Sequence, residues 1–402
     1  MSLPTASPRI ALLCSGLGRV RRGHEVFARD LFELLKDELP LTLFKGGGEG
    51  SAREIVVPHV PRDATSLAGM QLAVSPKWQD AAVEVERMRI EGESFAWGAL
   101  PALLDGDYDV IHCLEQEVCR TLWSLRHLFR KTPRILWSNG GALPAADIPP
   151  CDAVQEHTQH NLERSVRGKA FMIPHGVDLQ RFHPGVQGDY RQRHGIPADA
   201  FVVISVGTVC YFHKRMDHVI REVAALSDAW LVIVGQDSPD APAIKALGQQ
   251  LMPGRIVFDS LPHDELPKAY AAADVFTLGS LFETFGIVYI EAMAMGLPVV
   301  CTNHPNQRGI VQQGVFVDMS EQGALTAALR DTPQTTWPQL AKDGPVLARQ
   351  QYALDQLRQR YVVEYARIAG MAPAPLPRWH LGRKLRQNLV SGWHKARGAL
   401  QR

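Results

Sequence analysis

The sequence lacks the features of several protein classes. Its 402 residues hold six scattered cysteines, with no CxxC pair and no metal-ligand spacing, which argues against a disulfide framework or a zinc module. No apolar run approaches the ~20 residues of a membrane span, and the first residues do not have the layout of a signal peptide. A net charge of +1 provides no general attraction to nucleic acid. We therefore expect a cytoplasmic globular protein with reduced thiols and no nucleic-acid partner.

Short apolar segments alternate with amphipathic ones along most of the chain. Ile10–Cys14, 108–112 and 133–137 are predicted strands of a first unit, and Phe201–Val206 and 231–235 of a second. Strands that alternate with helices indicate an α/β fold with doubly wound parallel sheets. The segment 182–200 is rich in glycine, proline and charge and is predicted to be a linker. We therefore predict four parts, which are a first domain (1–182), a second domain (183–350), a final long helix (351–370) and a tail (371–402).

The stretch 275–301 has the pattern strand, glycine-bearing loop, helix, glycine stop and strand, with Glu283 in the loop and Glu291 in the helix. In open α/β sheets, ligands bind at the carboxyl ends of the strands, where this loop lies. A helix beginning near Gly286 offers unpaired backbone N–H groups that suit a phosphate. Glu291 reaches back toward the loop because helical side chains lean toward the N-terminus. Taken singly, Glu283 is better explained as a surface residue in a turn, and Glu291 as a helix N-terminal residue favoured by the dipole.

The whole stretch is far more specific than its parts. It resembles the Glu-x7-Glu signature of retaining GT-B glycosyltransferases of family 4. The matching residues are Ser280, Glu283, Phe285, Gly286, Glu291, Ala292, Met293, Ala294, Gly296, Pro298, Val299 and Val300. The Ile-Pro-x-Gly-Val-Asp run at 173–178 and the Val-Gly pair at 206–207 followed by Lys214 also resemble segments of that family. The resemblance covers most of 10–370 and is weak over 45–105.

The resemblance implies two Rossmann-like domains that face each other across a cleft, with the final helix crossing back to the first domain. It also implies transfer of a sugar, with retention of configuration, from a nucleoside-diphosphate sugar bound by the second domain to an acceptor hydroxyl bound by the first. No metal ion and no cofactor are expected. Glu283 and Lys214 would be catalytic, Glu283 on the transferred sugar and Lys214 on the diphosphate. The expected donor-binding residues are Glu291 (ribose), Phe285, Gly286, Ile287, Arg215, Gly207, Thr208, Gly235, Gly18 and Asn139.

Two positions depart from the family pattern. Thr208 follows the Val-Gly pair where the family usually has an arginine, and Asn139 stands where many members have a histidine near the donor sugar. Arg215, or an arginine of the first loop such as Arg19 or Arg22, would then supply the missing charge. Gly16 and Gly18 suggest a dinucleotide fingerprint whose third glycine is misplaced, which disfavours a dehydrogenase. A GT-B phosphorylase and a catalytically inactive GT-B-like binding protein remain alternatives.

The last 25 residues differ from the rest. Residues 378–402 hold seven lysines and arginines and no acidic residue, and leucines with a tryptophan recur every four positions. A basic amphipathic helix suits an anionic membrane surface, and a helix docked on its own protein or a disordered tail fits equally well. With the membrane interpretation, the protein would lie on the cytoplasmic face and act on a glycan or lipid-linked acceptor. His157 is expected at the surface or at the start of a helix, and His112 in a structural or an acceptor-contacting role.

Overall fold

The computed structural model describes residues 7–20 and 23–376. The strands of its first half are β1 (Ile10–Cys14), β2 (Leu41–Lys45), β3 (Glu54–Val56), β4 (Val110–Cys113), β5 (Arg134–Ser138), β6 (Ala153–Glu156) and β7 (Ala170–Met172). Those of its second half are β8 (Phe201–Val206), β9 (Ala229–Val234), β10 (Ile256–Asp259), β11 (Val275–Thr277), β12 (Val299–Thr302) and β13 (Val315–Val317).

Helices connect these strands. They are α1 (Gly23–Leu35), α2 (Gln79–Asp105), α3 (Gln116–Leu125), α4 (Gln159–Arg164), α5 (Tyr190–Arg193), α6 (Met216–Ala224), α7 (Ala241–Leu251), α8 (Leu266–Tyr270), α9 (Ile287–Ala294), α10 (Pro305–Val311), α11 (Ala324–Asp331), α12 (Thr336–Leu347) and α13 (Leu354–Ala369). Single 3-10 turns occupy Thr65–Leu67, Pro76–Trp78 and Arg126–Leu128, and a π-helical turn occupies Ala348–Tyr352.

Within the described residues, the strands form two parallel sheets of the same topology. The first has the order β3-β2-β1-β4-β5-β6-β7, and the second the order β10-β9-β8-β11-β12-β13. In both sheets the strand order reverses at one point, between β1 and β4 and between β8 and β11. Ligands of such sheets bind at the carboxyl ends of the strands beside this switch point. The fold therefore designates the loops after β8 and β11 as the candidate site of the second domain.

Each sheet is buried on both faces, as parallel sheets generally are. Two hydrophobic clusters cover the first sheet, one formed with α1 and α13 and the other with α2 and α3. A single large cluster surrounds the second sheet. The continuous apolar character of the strands follows from this two-sided burial, because a strand covered on both faces has no side exposed to water. The predicted α/β class is confirmed.

The segment 182–200, predicted to be a linker, packs into the second domain. Phe182, Tyr190 and Ile196 are buried members of the second hydrophobic cluster, and α5 begins at Tyr190. The Arg191 guanidinium also donates to the carbonyl oxygen of Ala272 at 2.8 Å. Composition alone suggested a solvated linker, because the buried side chains are spaced widely among polar ones. The predicted boundary at residue 182 stays a prediction.

The chain crosses between the domains at two places, and the backbones of the two crossing segments are hydrogen-bonded to each other. The Val177 N–H donates to the Tyr352 carbonyl at 2.8 Å, and the Leu354 N–H donates to the Val177 carbonyl at 3.3 Å. Beyond this point α13 packs on the first domain, where Leu357 and Ile368 join the cluster around β1 and α1. The predicted return of the final helix to the first domain is confirmed.

Sequence patterns were least informative over residues 45–105 and at short strands. The structure places there β3 and the 27-residue α2, which has Pro101 inside it. The pattern also did not indicate β6, whose Gln155 and Glu156 are buried although they are polar. α3 begins at Gln116. His157, expected at the surface or at a helix start, directly precedes Thr158, the N-cap of α4. It is buried and stacks on His175 with ring centroids 4.0 Å apart.

The end of the described chain lies against the first domain. The Arg134 Nε donates to the Met371 carbonyl at 2.7 Å, and the Ala374 N–H donates to Asp152 Oδ1 at 3.0 Å. The predicted basic amphipathic segment 378–402 falls outside the described residues. None of the helices in the described ranges combines the length and the apolar character needed to cross a bilayer.

The buried contact between α13 and the first sheet generates a stability prediction. The Tyr365 hydroxyl lies 2.8 Å from His112 Nδ1, and the other ring nitrogen of His112 has no hydrogen-bond partner. Replacing Tyr365 by phenylalanine leaves both nitrogens of a buried histidine without a partner, so we expect a loss of about 1–3 kcal/mol in the free energy of unfolding. Urea titration followed by tryptophan fluorescence measures this loss.

The matched control for Tyr365→Phe is Val363→Thr, because Val363 lies on the exposed side of the same helix. Its effect should stay within about 0.5 kcal/mol. Equal stability of Tyr365→Phe and the wild type would contradict the prediction.

Candidate active site

The loop between β11 and α9 forms the floor of the candidate site. Gly286 precedes α9, which begins at Ile287, so the first N–H groups of this helix face the loop without helical partners. Phe285 is buried and packs edge-on against His175 of the first domain, with ring centroids 4.8 Å apart. The predicted phosphate-binding residues Phe285, Gly286 and Ile287 are therefore consecutive at a helix N-terminus beside the switch point.

Glu283 is buried and bound by three side chains. The Lys214 Nζ donates to its Oε1 at 2.6 Å, and the Ser280 hydroxyl donates to the same oxygen at 2.7 Å. The His213 Nε2 lies 3.4 Å from Oε2. Burial raises the pKa of Glu283, but the charge of Lys214 and the contacts of His213 outweigh burial and lower it to about 2. The carboxyl group is therefore ionised at neutral pH and accepts hydrogen bonds without acting as an acid.

Two amide side chains of α10 hold the backbone of the Glu283 loop. The Gln307 Nε2 donates to the Glu283 carbonyl at 3.0 Å, and the Asn306 Nδ2 donates to it at 3.3 Å. The Thr158 hydroxyl of the first domain donates to Asn306 Oδ1 at 2.7 Å. A chain of hydrogen bonds thus connects the first domain to the loop that carries Glu283.

Glu291, in the second turn of α9, is also buried and doubly bound. The Tyr270 hydroxyl donates to Oε2 at 2.9 Å, and the His263 Nε2 lies 2.7 Å from Oε1. Burial lowers the pKa of His263, whereas its hydrogen bond to Glu291 and the charge of Glu291 raise it, and the net pKa lies above the usual value. The carboxylate is therefore held in one orientation by two side chains, one from α8 and one from the loop before it.

The loop between β8 and α6 supplies the cation. Lys214 reaches Glu283 from this loop, while Thr208 at the start of the loop is exposed. Arg215 donates from NH1 to the carbonyl oxygens of Gly279 and Met319, which ties the two loops together. A Cβ atom on Gly235 would lie 1.8 Å from the Gly207 carbonyl oxygen, so glycine is required there. The Nη1 atom of Arg215 already donates to two backbone carbonyls. The predicted contact of Arg215 with the diphosphate stays a prediction.

The loop after β1, in the first domain, borders a cavity between the domains. Gly18 has φ +87°, and a Cβ atom there would lie 2.2 Å from the Gly47 carbonyl oxygen, so the packing of two glycine loops requires this residue. The cavity, of about 1040 Å³, opens between the domains next to Gly18. It is lined by α1, by residues 178–181 of the interdomain segment and by the 262–264 loop. Asp30 lines it from α1, and burial raises the pKa of its carboxyl group to about 6, although His263 and Arg181 oppose this rise.

Asn139 lies at the end of β5 with its amide group fully engaged. Its Nδ2 donates to Glu156 Oε1 at 2.9 Å and to the Leu143 carbonyl at 3.0 Å, and its Oδ1 accepts from the Leu143 N–H at 2.8 Å. These bonds close the loop after β5. The contact of Asn139 with the donor sugar, expected from the resemblance, stays a prediction that requires one of these bonds to open.

The structure brings Glu283, Lys214, Phe285, Gly286 and Ile287 together at one loop cluster. It adds side chains that the sequence did not single out for a role, namely His213, His263, Tyr270, Asn306, Gln307 and Arg181. Ser280 stood within the matched stretch, but a matching position does not tell which carboxylate a hydroxyl will contact. No signal in the sequence pointed to His263, because 28 positions separate it from Glu291.

Among the described residues, Cys14, His24 and Glu25 lie close enough together to hold a metal ion. They lie beneath the glycine loop of the first domain, at the carboxyl end of β1. Burial and the neighbouring charges of Glu115 and Glu25 raise the pKa of the Cys14 thiol well above its usual value. The thiol is therefore protonated at neutral pH, whereas the form that binds metals is the thiolate.

A comparison with known proteins finds a family model that matches part of the second domain. Residues 186–332 match the family model of glycosyl transferases group 1. This segment is similar to group 1 glycosyl transferases and lies within the second domain. It contains both switch-point loops, the Lys214–Glu283 pair and Glu291, so the glycosyl transferase match falls on the site described above.

A curated relative supports the same family over a longer stretch. The D-inositol 3-phosphate glycosyltransferase 1 of Catenulispora acidiphila is 29% identical over 266 residues, which cover 56% of this chain and 63% of that protein. The chain thus spans less than two thirds of the length of this relative.

Solved structures extend the likeness to the whole fold. The sucrose-phosphate synthase of Thermosynechococcus elongatus superposes with a TM-score of 0.73 at 20% identity, covering 90% of this chain and 99% of that one. The Anabaena protein Alr3699/HepE, in complex with UDP-glucose, superposes with a TM-score of 0.64 at 17% identity, covering 89% and 98%. The two-domain GT-B architecture expected from the sequence is confirmed.

The buried ion pair generates a prediction about stability and pH. In Lys214→Met the Glu283 carboxylate loses its strongest partner, so we expect a loss of about 3–5 kcal/mol in the free energy of unfolding at pH 7.5. Without the lysine, burial raises the pKa of Glu283 above that of the unfolded chain, so protonation relieves the penalty. The loss should therefore shrink as the pH falls from 7.5 to 5.5, as measured by urea unfolding at both values.

Lys245→Met is the matched control for Lys214→Met. Lys245 forms an ion pair with Asp237 at the same 2.6 Å separation, but both side chains are exposed. Its removal should cost at most about 1 kcal/mol at either pH. A Lys214→Met variant whose stability loss grows as the pH falls would contradict the assignment.

Proposed function

We propose that this chain is a retaining glycosyltransferase that moves a sugar from a nucleoside-diphosphate sugar to an acceptor hydroxyl. The observation that carries the proposal is the buried Lys214–Glu283 pair next to the N-terminus of α9. A cation and unpaired backbone N–H groups that converge on one loop suit a diphosphate, and a fixed carboxylate beside them suits the hydroxyls of a sugar. The match to the group 1 family supports the same conclusion.

The residues divide the donor between them. Lys214 and the N–H groups at the start of α9 hold the diphosphate, and this stabilisation grows as the leaving group gains negative charge. Glu283 accepts hydrogen bonds from the transferred sugar, and Glu291 accepts them from the ribose. Gly207, Thr208, Gly235, Arg215 and Gly18 border the diphosphate, and Asn139 faces the sugar from the first domain.

The proposed reaction needs no acid or base from Glu283, whose pKa is too low for that role. The bond from the anomeric carbon to the phosphate oxygen breaks, and a bond to the acceptor oxygen forms on the same face. The acceptor proton passes to the departing phosphate oxygen. We propose that neither a metal ion nor a cofactor takes part, since Lys214 and the helix end balance the charge of the diphosphate.

The substrates are proposed from the relatives. UDP-glucose is bound by the Anabaena neighbour, and the curated relative is named for an inositol phosphate. We therefore propose a uridine or related nucleoside-diphosphate hexose as donor. The acceptor is a hydroxyl of a polyol or glycan, free or lipid-linked, in glycan, glycolipid or envelope polysaccharide synthesis.

A panel of nucleoside-diphosphate sugars tests this function. Hydrolysis or transfer of one donor in the presence of EDTA is the expected result, and Glu283→Gln should lower kcat/KM for that donor about 100-fold or more because the fixed carboxylate is lost. Glu321→Gln, an exposed glutamate of the same domain, is the control and should leave the rate unchanged. Full activity of Glu283→Gln would overturn the site. Turnover that requires inorganic phosphate would indicate a phosphorylase instead.

The basic tail generates a separate prediction about membranes. We propose that residues 378–402, with seven lysines and arginines and no acidic residue, bind anionic lipid. The full chain should co-sediment with vesicles containing phosphatidylglycerol and should be released by about 0.5 M salt, because the attraction is screened. A chain that ends at residue 377 should remain in the supernatant. Equal sedimentation of the two chains would refute the tail's role.

A further inference from the structure

Glu291 is oriented by a histidine that lies outside the matched family signature. His263 follows β10 in the loop that precedes α8, and its Nε2 approaches Glu291 Oε1 at 2.7 Å. Glu291 itself is buried, whereas about three tenths of the His263 side chain is exposed to the interdomain cavity. His263 therefore lies between the interdomain cavity and the buried carboxylate of Glu291.

A second contact holds the histidine ring. The Arg181 NH1 lies 3.1 Å from His263 Nδ1. A guanidinium group only donates hydrogen bonds, so Nδ1 accepts and the ring proton lies on Nε2, directed at Glu291. If the ring becomes protonated, Nε2 still donates to Glu291, whereas Nδ1 gains a proton and no longer accepts from Arg181. Both protonation states of His263 therefore keep Glu291 Oε1 bound.

The tyrosine on the other oxygen completes the arrangement. Tyr270 binds Oε2 at 2.9 Å and is fully buried. Each carboxylate oxygen has two lone-pair directions, so Tyr270 and His263 each take one and leave one. The remaining two directions are fixed in space, as required for a pair of vicinal hydroxyls that must be bound together.

From these contacts we propose that His263 is a positioning residue for the ribose hydroxyls of the donor, held in place by Arg181 from the interdomain segment. This inference rests on the proposed function, because it assigns Glu291 to a ribose. It adds that recognition of the ribose depends on a contact made from the segment that joins the two domains. Arg181 belongs to that segment, three residues after Asp178, with which it also forms an ion pair at 3.8 Å.

The test compares nucleotides with and without the ribose hydroxyls. Titration calorimetry measures the affinity of the full chain for UDP, GDP, ADP and CDP and for the 2′,3′-dideoxy form of each. The wild type should prefer the ribose form of the bound nucleotide by about tenfold or more, as expected for hydrogen bonds to a charged acceptor. In His263→Ala this preference should fall below about threefold, with little change in affinity for the dideoxy form.

Two further variants separate positioning from simple structural support. His263→Gln retains a donor amide that can reach Glu291 and should retain most of the preference. Arg181→Ala should lower the preference in the same direction, and the double variant with His263→Ala should be no worse than His263→Ala alone, because the arginine acts through the histidine. His194→Ala is the control, since His194 is similarly exposed and also faces a carboxylate, Asp259, at 3.4 Å.

The outcomes distinguish this inference from the proposed function. If the wild type binds none of the nucleotides, both fail. If it binds one and prefers the ribose form, and His263→Ala keeps that preference in full, the function stands and the positioning role of His263 is refuted. Loss of the preference in His194→Ala would equally refute the specific role of His263.

Discussion

The buried ion pair between Lys214 and Glu283 is the interaction on which the candidate site depends. Glu283 is buried, and its charge depends on the lysine because a buried charge without a counter-charge is costly. The pair joins the loop after β8 to the loop after β11, and these are the two loops on either side of the switch point. Arg215 binds the carbonyl oxygen of Gly279 and so crosses the same gap. The electrostatics of the site and the connection of its two loops therefore have the same origin.

The two glutamates of the motif are treated differently by their surroundings. Glu283 faces a lysine, and its pKa is depressed, so it remains a carboxylate. Glu291 is held by a tyrosine and a histidine, which are hydrogen-bond donors that fix orientation. The surroundings of Glu283 thus fix its charge, and the surroundings of Glu291 fix its orientation. This division suits a ligand with sugar hydroxyls at Glu283, a diphosphate at Lys214 and the helix end, and a rigid diol at Glu291.

The first domain contributes support as well as a facing surface. Thr158 reaches Asn306, whose amide group holds the Glu283 carbonyl, and His175 packs on Phe285. α13 returns to the first domain immediately after the paired interdomain segments, so the C-terminal end of the described chain is also anchored there. The geometry of the Glu283 loop therefore depends on both domains, although all residues of the matched motif belong to the second.

The sequence by itself determined the fold class, the two parallel sheets, and the loop and helix that hold Glu283 and Glu291. Its short apolar strands, its glycine stops and its run of matched residues are local patterns, and local patterns follow from backbone preferences and two-sided burial. It did not reveal β6 or the buried histidine His157, because their polar residues are buried by partners far away in the chain.

Tertiary structure alone decided which side chains meet. Lys214 and Glu283 are 69 positions apart, and His263 and Glu291 are 28 positions apart. Tertiary structure also showed that Arg215 binds backbone and that Asn139 closes its own loop. A hydrogen bond between distant residues depends on the register of neighbouring strands and the length of the connecting loops. No single stretch of sequence carries that information, so the candidate site could be located from the sequence, but its internal contacts could not.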